Sequence, residues 1–152
     1  MKLAEALVQR ADLKRRLAEI QGRLTQNARV QEGEQPYENP DAILREMRET
    51  LDAFRTVIQQ INRTNSASRL EDGRTLTDAL AERDVLAAEQ RIREALIKAA
   101  AQVDFRYSRS EIKQVATVDV AEQRRTLDST ARALRELDLS IQRANWQIDL
   151  IE

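Results

Sequence analysis

A chain of 152 residues with 25 Lys and Arg against 26 Asp and Glu has a formal net charge of -1, so no overall field steers it to nucleic acid or to an anionic membrane. The absence of both Cys and His removes thiol nucleophiles, disulfides, a histidine base, and thiolate or imidazole metal ligands, and neither a metal nor a cofactor is expected. With 3 Gly, 2 Pro and 34% charged residues, the composition favours long helices in one domain over 1–152, large enough to bury a core.

The opening MKLAEALVQR carries Glu5 where a signal peptide would hold its apolar segment. No run approaches the roughly 18 apolar residues of a membrane span, and the expected compartment is the cytoplasm. From Lys2 to about Ala28, Leu3, Leu13, Leu17, Ile20 and Leu24 fall on one helical side, widened by Ala6, Leu7 and Ala28. Arg10 and Asn27 take heptad positions of this first helix. Arg10 reads as a stem laid along the stripe with its head in water, and a polar residue such as Asn27 at such a position fixes register.

Residues 29–40 contain Gly33 and Pro36 and lose the period, so they form a loop. Asn39-Pro40-Asp41 then starts the second helix: a capping amide, a proline where its missing N–H costs nothing, and a carboxylate at the positive end of the dipole. Leu44, Met47, Leu51, Phe54, Ile58 and Ile61 recur three and four apart, flanked by Ile43 and Val57. This is the cleanest a/d stripe in the chain and the expected heart of the core. It is expected to stop at Ile61, because Asn62, Thr64, Asn65, Ser66 and Ser68 compete with helical hydrogen bonds. Asp72-Gly73 reads as a turn with glycine at positive φ, and Thr75, three residues before Asp78, as the cap of a third helix from Leu76 to about Asp104.

That third helix has two apolar faces. Leu76, Leu80 and Ala87 lie on one side and Val85, Ile92, Leu96 and Val103 on the other, which suggests a homo-oligomer interface on the second. In FRYSRSEIKQVATVDV, the residues Ile112, Val115, Thr117, Val118 and Val120 suggest extended chain. Lys113 to Val118 is compatible with pairing to Arg29 to Glu34 as a short antiparallel β-ribbon. Asp119, with Glu122 three residues on, caps a fourth helix carrying Leu127, Thr130, Leu134, Leu137, Ile141, Ala144, Ile148 and Ile151. The expected fold is all-α, an antiparallel bundle of four long helices with coiled-coil-like packing and, at one pole, that short β-ribbon.

Three constellations carry chemistry. Asn62, Arg63, Asn65, Arg69, Asp72 and Arg74, with Trp146 expected as a packing lid, could hold a small anion, since arginines bind phosphate or carboxylate bidentately. Arg106, Tyr107, Arg109, Glu111 and Lys113 make a mixed-charge pole suited to protein contact. One short basic run in a neutral chain with 3% aromatic residues does not predict nucleic-acid binding. Glu46, Glu49 and Asp52 resemble the magnesium-binding carboxylates of all-helical nucleotide pyrophosphatases, but they lie more than about 100° from the centre of the Leu44–Ile61 stripe and are expected in solvent.

The strings KLAEALVQRADLKRRL, RVQEGE, INRTNSASRLEDGRTLTDALAERD, RYSRSEIKQVATVDV and RELDLSIQRANWQIDL together resemble a family of small bacterial proteins often labelled septicolysin. The resemblance implies a helical cytoplasmic protein with no established activity or cofactor, and so brings no catalytic residues. The haemolysin sense of that label has no counterpart in these residues, which offer neither a long apolar span nor an alternating strand pair. The leading expectation is a non-enzymatic helical scaffold or interaction protein that self-associates. The alternative is a binder or hydrolase of a phosphorylated metabolite, using the arginine-rich pole at 62–75.

Overall fold

Side-chain caps start three of the four helices. Asn39 Oδ1 accepts the Asp41 N–H at 2.9 Å, Thr75 Oγ1 the Asp78 N–H at 3.0 Å, and Asp119 Oδ1 the Glu122 N–H at 3.0 Å; each satisfies a backbone donor that the first helical turn leaves without a partner. The computed structural model describes residues 1–102 and 113–152. They form α1 (Leu3–Gln26), α2 (Pro40–Ala67), α3 (Leu76–Ala100) and α4 (Val120–Gln147). The fold is all-α, with the helices packed pairwise and antiparallel, and it divides into two compact units: 1–69 with 143–152, and 70–142.

In the first unit α1 and α2 form a hairpin. Its buried apolar residues are Leu3, Ala4, Ala6 and Ile20 of α1, Ile43, Val57 and Ile61 of α2, and Ala144 from the end of α4. The buried seam of α2 is not the expected stripe. It runs through Ile43, Thr50, Val57, Ile61 and Thr64, while Leu51 is 39% exposed and Leu44, Met47, Phe54 and Ile58 are half-buried. At 100° per residue the seam is turned by about 75° from the expected stripe. The cause is two threonines that a polar/apolar reading counts as surface. Thr50 donates its hydroxyl to the Glu46 carbonyl at 2.7 Å and Thr64 to the Gln60 carbonyl at 2.8 Å, which satisfies the hydroxyl inside the helix and leaves the γ-methyl to pack.

The same back-bonding carries α2 past its expected end. Thr64 and Ser66, which donates to the Asn62 carbonyl at 3.0 Å, bond the preceding turn instead of leaving it, and the helix continues to Ala67. The loop expected over 62–75 is therefore only a tight turn. In the second unit, the Leu70 N–H donates to the Arg74 carbonyl at 2.8 Å and the Gly73 N–H to the Leu70 carbonyl at 3.0 Å. Gly73 takes the positive φ, 87°, that its turn position requires.

α3 and the first part of α4 run antiparallel. Leu86 shares a hollow with Ala133 and Leu137, and toward the other end of α3 the Arg93 guanidinium donates to Gln123 at 2.7 Å. Burial in this unit is uneven. Leu70, Leu76, Ala79, Leu137 and Ile141 are buried near the turn, with Thr130 further along α4, yet from Leu80 to Ser129 no described residue is buried.

α3 stops at Ala100, short of the expected Asp104, which lies outside the described residues. The β-ribbon does not form: among the described residues there is no strand. The Arg29–Glu34 segment turns on itself instead, with the Glu34 N–H donating to the Gln31 carbonyl at 2.9 Å and Gly33 at φ 90°, a conformation that breaks an extended run. An isolated antiparallel bridge joins Lys2 and Asp149.

Candidate functional site

The outer face of α3 gathers several apolar side chains left in water. The side of the helix that carries Leu76, Ala79, Arg83, Leu86, Arg93 and Ile97 is buried or half-buried. On the opposite side Val85 is 61% exposed, Ile92 69% and Leu96 38%, with Ala81, Ala95 and Ala99 also exposed and Ala88 half-buried between them. These positions follow an a/d repeat, Ala81, Val85, Ala88, Ile92, Ala95, Ala99, with Leu96 beside it. Three of the four expected interface residues thus stand together in solvent, and Val103 lies outside the described residues. Next to Leu96 and Ala99 a shallow hollow is lined also by Gln114, Val115 and Thr117.

The expected anion-binding residues divide between the two units. Asn62 and Arg63 line an open hollow with Ser66, Ala67 and Ile151; Asn65 is half-buried and Arg69 exposed. Asp72 and Arg74 line a separate hollow with Glu82, Glu136, Leu137 and Ser140. There Arg74 donates to Asp72 Oδ2 from Nη2 at 2.6 Å and from Nε at 2.8 Å. These hydrogen bonds, supported by the Arg74 backbone N–H at 3.0 Å, hold the Asp72 carboxyl below the usual carboxylate range and the guanidinium above its own. Trp146 is no lid: it is 63% exposed, because the buried side of the last α4 turns is taken by Ile141, Ala144 and Asn145. Of the mixed-charge pole only Lys113 falls among the described residues, where it is exposed. Arg106, Tyr107, Arg109 and Glu111 lie outside them.

Two arrangements in the first unit escape a reading of periodicity. One is a clasp on Thr64, whose fully buried hydroxyl accepts the Ile151 N–H at 2.9 Å while donating to Gln60. Around it the Leu3 N–H donates to Ile148 at 3.0 Å, the Leu150 N–H donates to Met1 at 2.9 Å, and the Lys2 ammonium reaches Asp149 at 2.8 Å. The Lys2 bond holds the Asp149 carboxyl low.

The other is an ionic cluster at the α1–α2 turn. The Arg23 guanidinium meets Glu38 at 2.7 Å and Glu46 at 2.8 Å, and Arg16 adds a longer contact to Glu46 at 3.3 Å. Hydrogen bonds from Arg23 lower both carboxyls below their usual range, and the same bonds raise the guanidinium. Asn27 closes the turn: its amide donates to the Arg23 carbonyl and its oxygen accepts the Glu38 N–H, each at 2.9 Å. Glu46 was expected in solvent with Glu49 and Asp52. The turned seam of α2 brings it against α1 instead, while Glu49 and Asp52 remain exposed. Among the described residues no group of three carboxylates is placed to hold a metal ion.

A model of a family of unknown function, DUF6847, matches residues 10–150. The chain belongs to this family. A crystal structure described as that of a functionally unknown conserved protein from Corynebacterium diphtheriae is 45% identical, covers 99% of this chain and 99% of that chain, and has a TM-score of 0.92. No curated protein matches the chain. The DUF6847 match takes in the outer face of α3 and Thr64, while Met1, Lys2, Leu3 and Ile151 of the clasp lie beyond the matched residues. No helix among the described residues is long and apolar enough to cross a membrane.

Proposed function

We propose that the protein is a non-enzymatic helical interaction module, acting in the cytoplasm as a scaffold that self-associates through the outer face of α3. The observation that carries this reading is the exposed strip of Val85, Ile92 and Leu96 on a helix pair in which no described residue from Leu80 to Ser129 is buried. A helix normally buries one apolar stripe, and a second stripe of β-branched and leucine side chains left in water marks a contact surface. The chain's lack of Cys and His narrows the chemistry available to an enzyme in the same direction.

The anion-binding reading has less support, since the Arg74 guanidinium is already neutralised by Asp72. The likeness to proteins labelled septicolysin enters as kinship, and no lytic activity is carried over with it. The substitution Ile92→Glu tests the proposal: a charge at the centre of the strip should abolish self-association and leave the helical circular dichroism unchanged. An Ile92→Glu variant that associates as the parent does would overturn the reading.

A further inference from the structure

The geometry points to a second copy of this chain as the occupant of the α3 face, its α3 lying antiparallel to the first about a two-fold axis at the level of Gln90. This inference rests on the self-association proposed above and adds the partner, the direction and the register. Large and small residues alternate along the face, with Val85 and Ile92 at one heptad position and Ala81, Ala88 and Ala95 at the other. An antiparallel pair sets these two positions opposite each other, so a large residue on one helix meets a small one on its partner.

With the axis at Gln90, Val85 faces the second copy's Ala95 and Ile92 faces the second copy's Ala88. The two-fold repeats both layers, and Ala81 closes each end against the second copy's Ala99. A parallel pair would instead stack Val85 on Val85 and Ile92 on Ile92, layers that a parallel pair accepts, but alanine on alanine between them, leaving every alternate layer underfilled. Other antiparallel registers either bring Asp78 into the seam or shorten the overlap.

Charge at the seam's edge fits the same alignment. Asp84 and Lys98 flank the face on one side, and the antiparallel register brings each within reach of the other's counterpart, although Asp84 is also bonded to Arg83 at 2.9 Å within the chain and Arg91, between them on the same edge, meets its own copy near the axis. On the opposite side Glu89 meets its own copy near the axis, but its charge is already compensated within the chain by Arg93 at 2.7 Å. A seam from Ala81 to Ala99 is about 27 Å long. Two such helices in knobs-into-holes contact bury roughly 1,000 Å² in total, at the lower bound for a specific interface, the size class of weak contacts whose population depends on concentration. The contact is isologous and closes, giving a dimer and not a fibre.

Because the chain has no cysteine, introduced thiols report on register without background. Facing residues lie within disulfide reach, whereas Val85 and Ala95 are about 15 Å apart along any one helix and cannot pair within a chain. Under mild oxidation the double variant Val85→Cys/Ala95→Cys should run as a covalent dimer on a non-reducing gel. Each single variant should stay uncrosslinked, and mixing the two singles should restore the dimer. Crosslinking by both singles would mean a parallel pair. A double variant that stays uncrosslinked while the parent scatters light as a dimer would mean another register. Either result overturns this inference and leaves self-association standing; a monomeric parent overturns both.

Discussion

Truncating Ile61 in α2 offers a direct reading of where the core of the first unit lies. Ile61 is 2% exposed, and Ile61→Ala removes three carbons, worth about 0.8 kcal/mol each when buried, together with the dispersion attraction forfeited by the walls of the cavity left behind. The expected cost is therefore about 2.5–4 kcal/mol. Leu51→Ala removes the same three carbons from a side chain that is 39% exposed. Solvent already reaches it, no closed cavity forms, and the expected cost is about 1.5 kcal/mol or less. Urea unfolding followed by far-ultraviolet circular dichroism, with every variant at one protein concentration so that association contributes equally, measures both. A Leu51→Ala variant at least as destabilised as Ile61→Ala would refute the turned seam and restore the stripe from Leu44 to Ile61.

Two further predictions concern the polar contacts. Thr64→Val keeps the shape of the side chain but leaves the Ile151 N–H without its acceptor. It should cost about 1–3 kcal/mol, whereas Ser66→Ala, which removes an exposed hydroxyl bonded only to Asn62, should cost under about 0.5 kcal/mol; equal effects would contradict the clasp. For pH, Glu38 and Glu46 are both held below their ordinary 4.5 by Arg23. A carboxylate whose pKa is lower in the folded state adds stability above its ordinary value and loses it as the pH falls through the folded value. The thermal midpoint should fall as acid is added below about pH 4.5, and less steeply in Glu38→Gln/Glu46→Gln. A double variant with the parent's acid profile would show that the cluster contributes nothing.

How much was legible in the sequence follows from which rules act locally. Asn39, Thr75 and Asp119 cap helices through their own side chains, Gly73 supplies the positive φ of its turn, and four helices emerge from periodicity and these local stops. What was hidden depends on polar residues behaving as apolar ones. Thr50 and Thr64 hide their hydroxyls in the helix backbone, which turned the α2 seam and drew Glu46 into contact with Arg23, and the same habit in Thr64 and Ser66 lengthened the helix to Ala67. The Arg29–Glu34 ribbon failed for a local reason, the positive φ of Gly33, which a β-branched composition does not reveal. The lid assigned to Trp146 failed because Ile141, Ala144 and Asn145 fill the buried side of that turn. The two faces of α3, by contrast, were readable because no hydrogen bond competes with them: Val85, Ile92 and Leu96 lie where their spacing put them.

The central claim, that this face meets a second copy, is tested most directly by the mass of the native protein in solution. Multi-angle light scattering across a concentration series from about 1 to 100 μM, needed because the population of an interface at the lower size limit depends on concentration, should give twice the 17.5 kDa of one chain at the upper end and a fall toward one chain on dilution. A mass of 17.5 kDa throughout that range would contradict it.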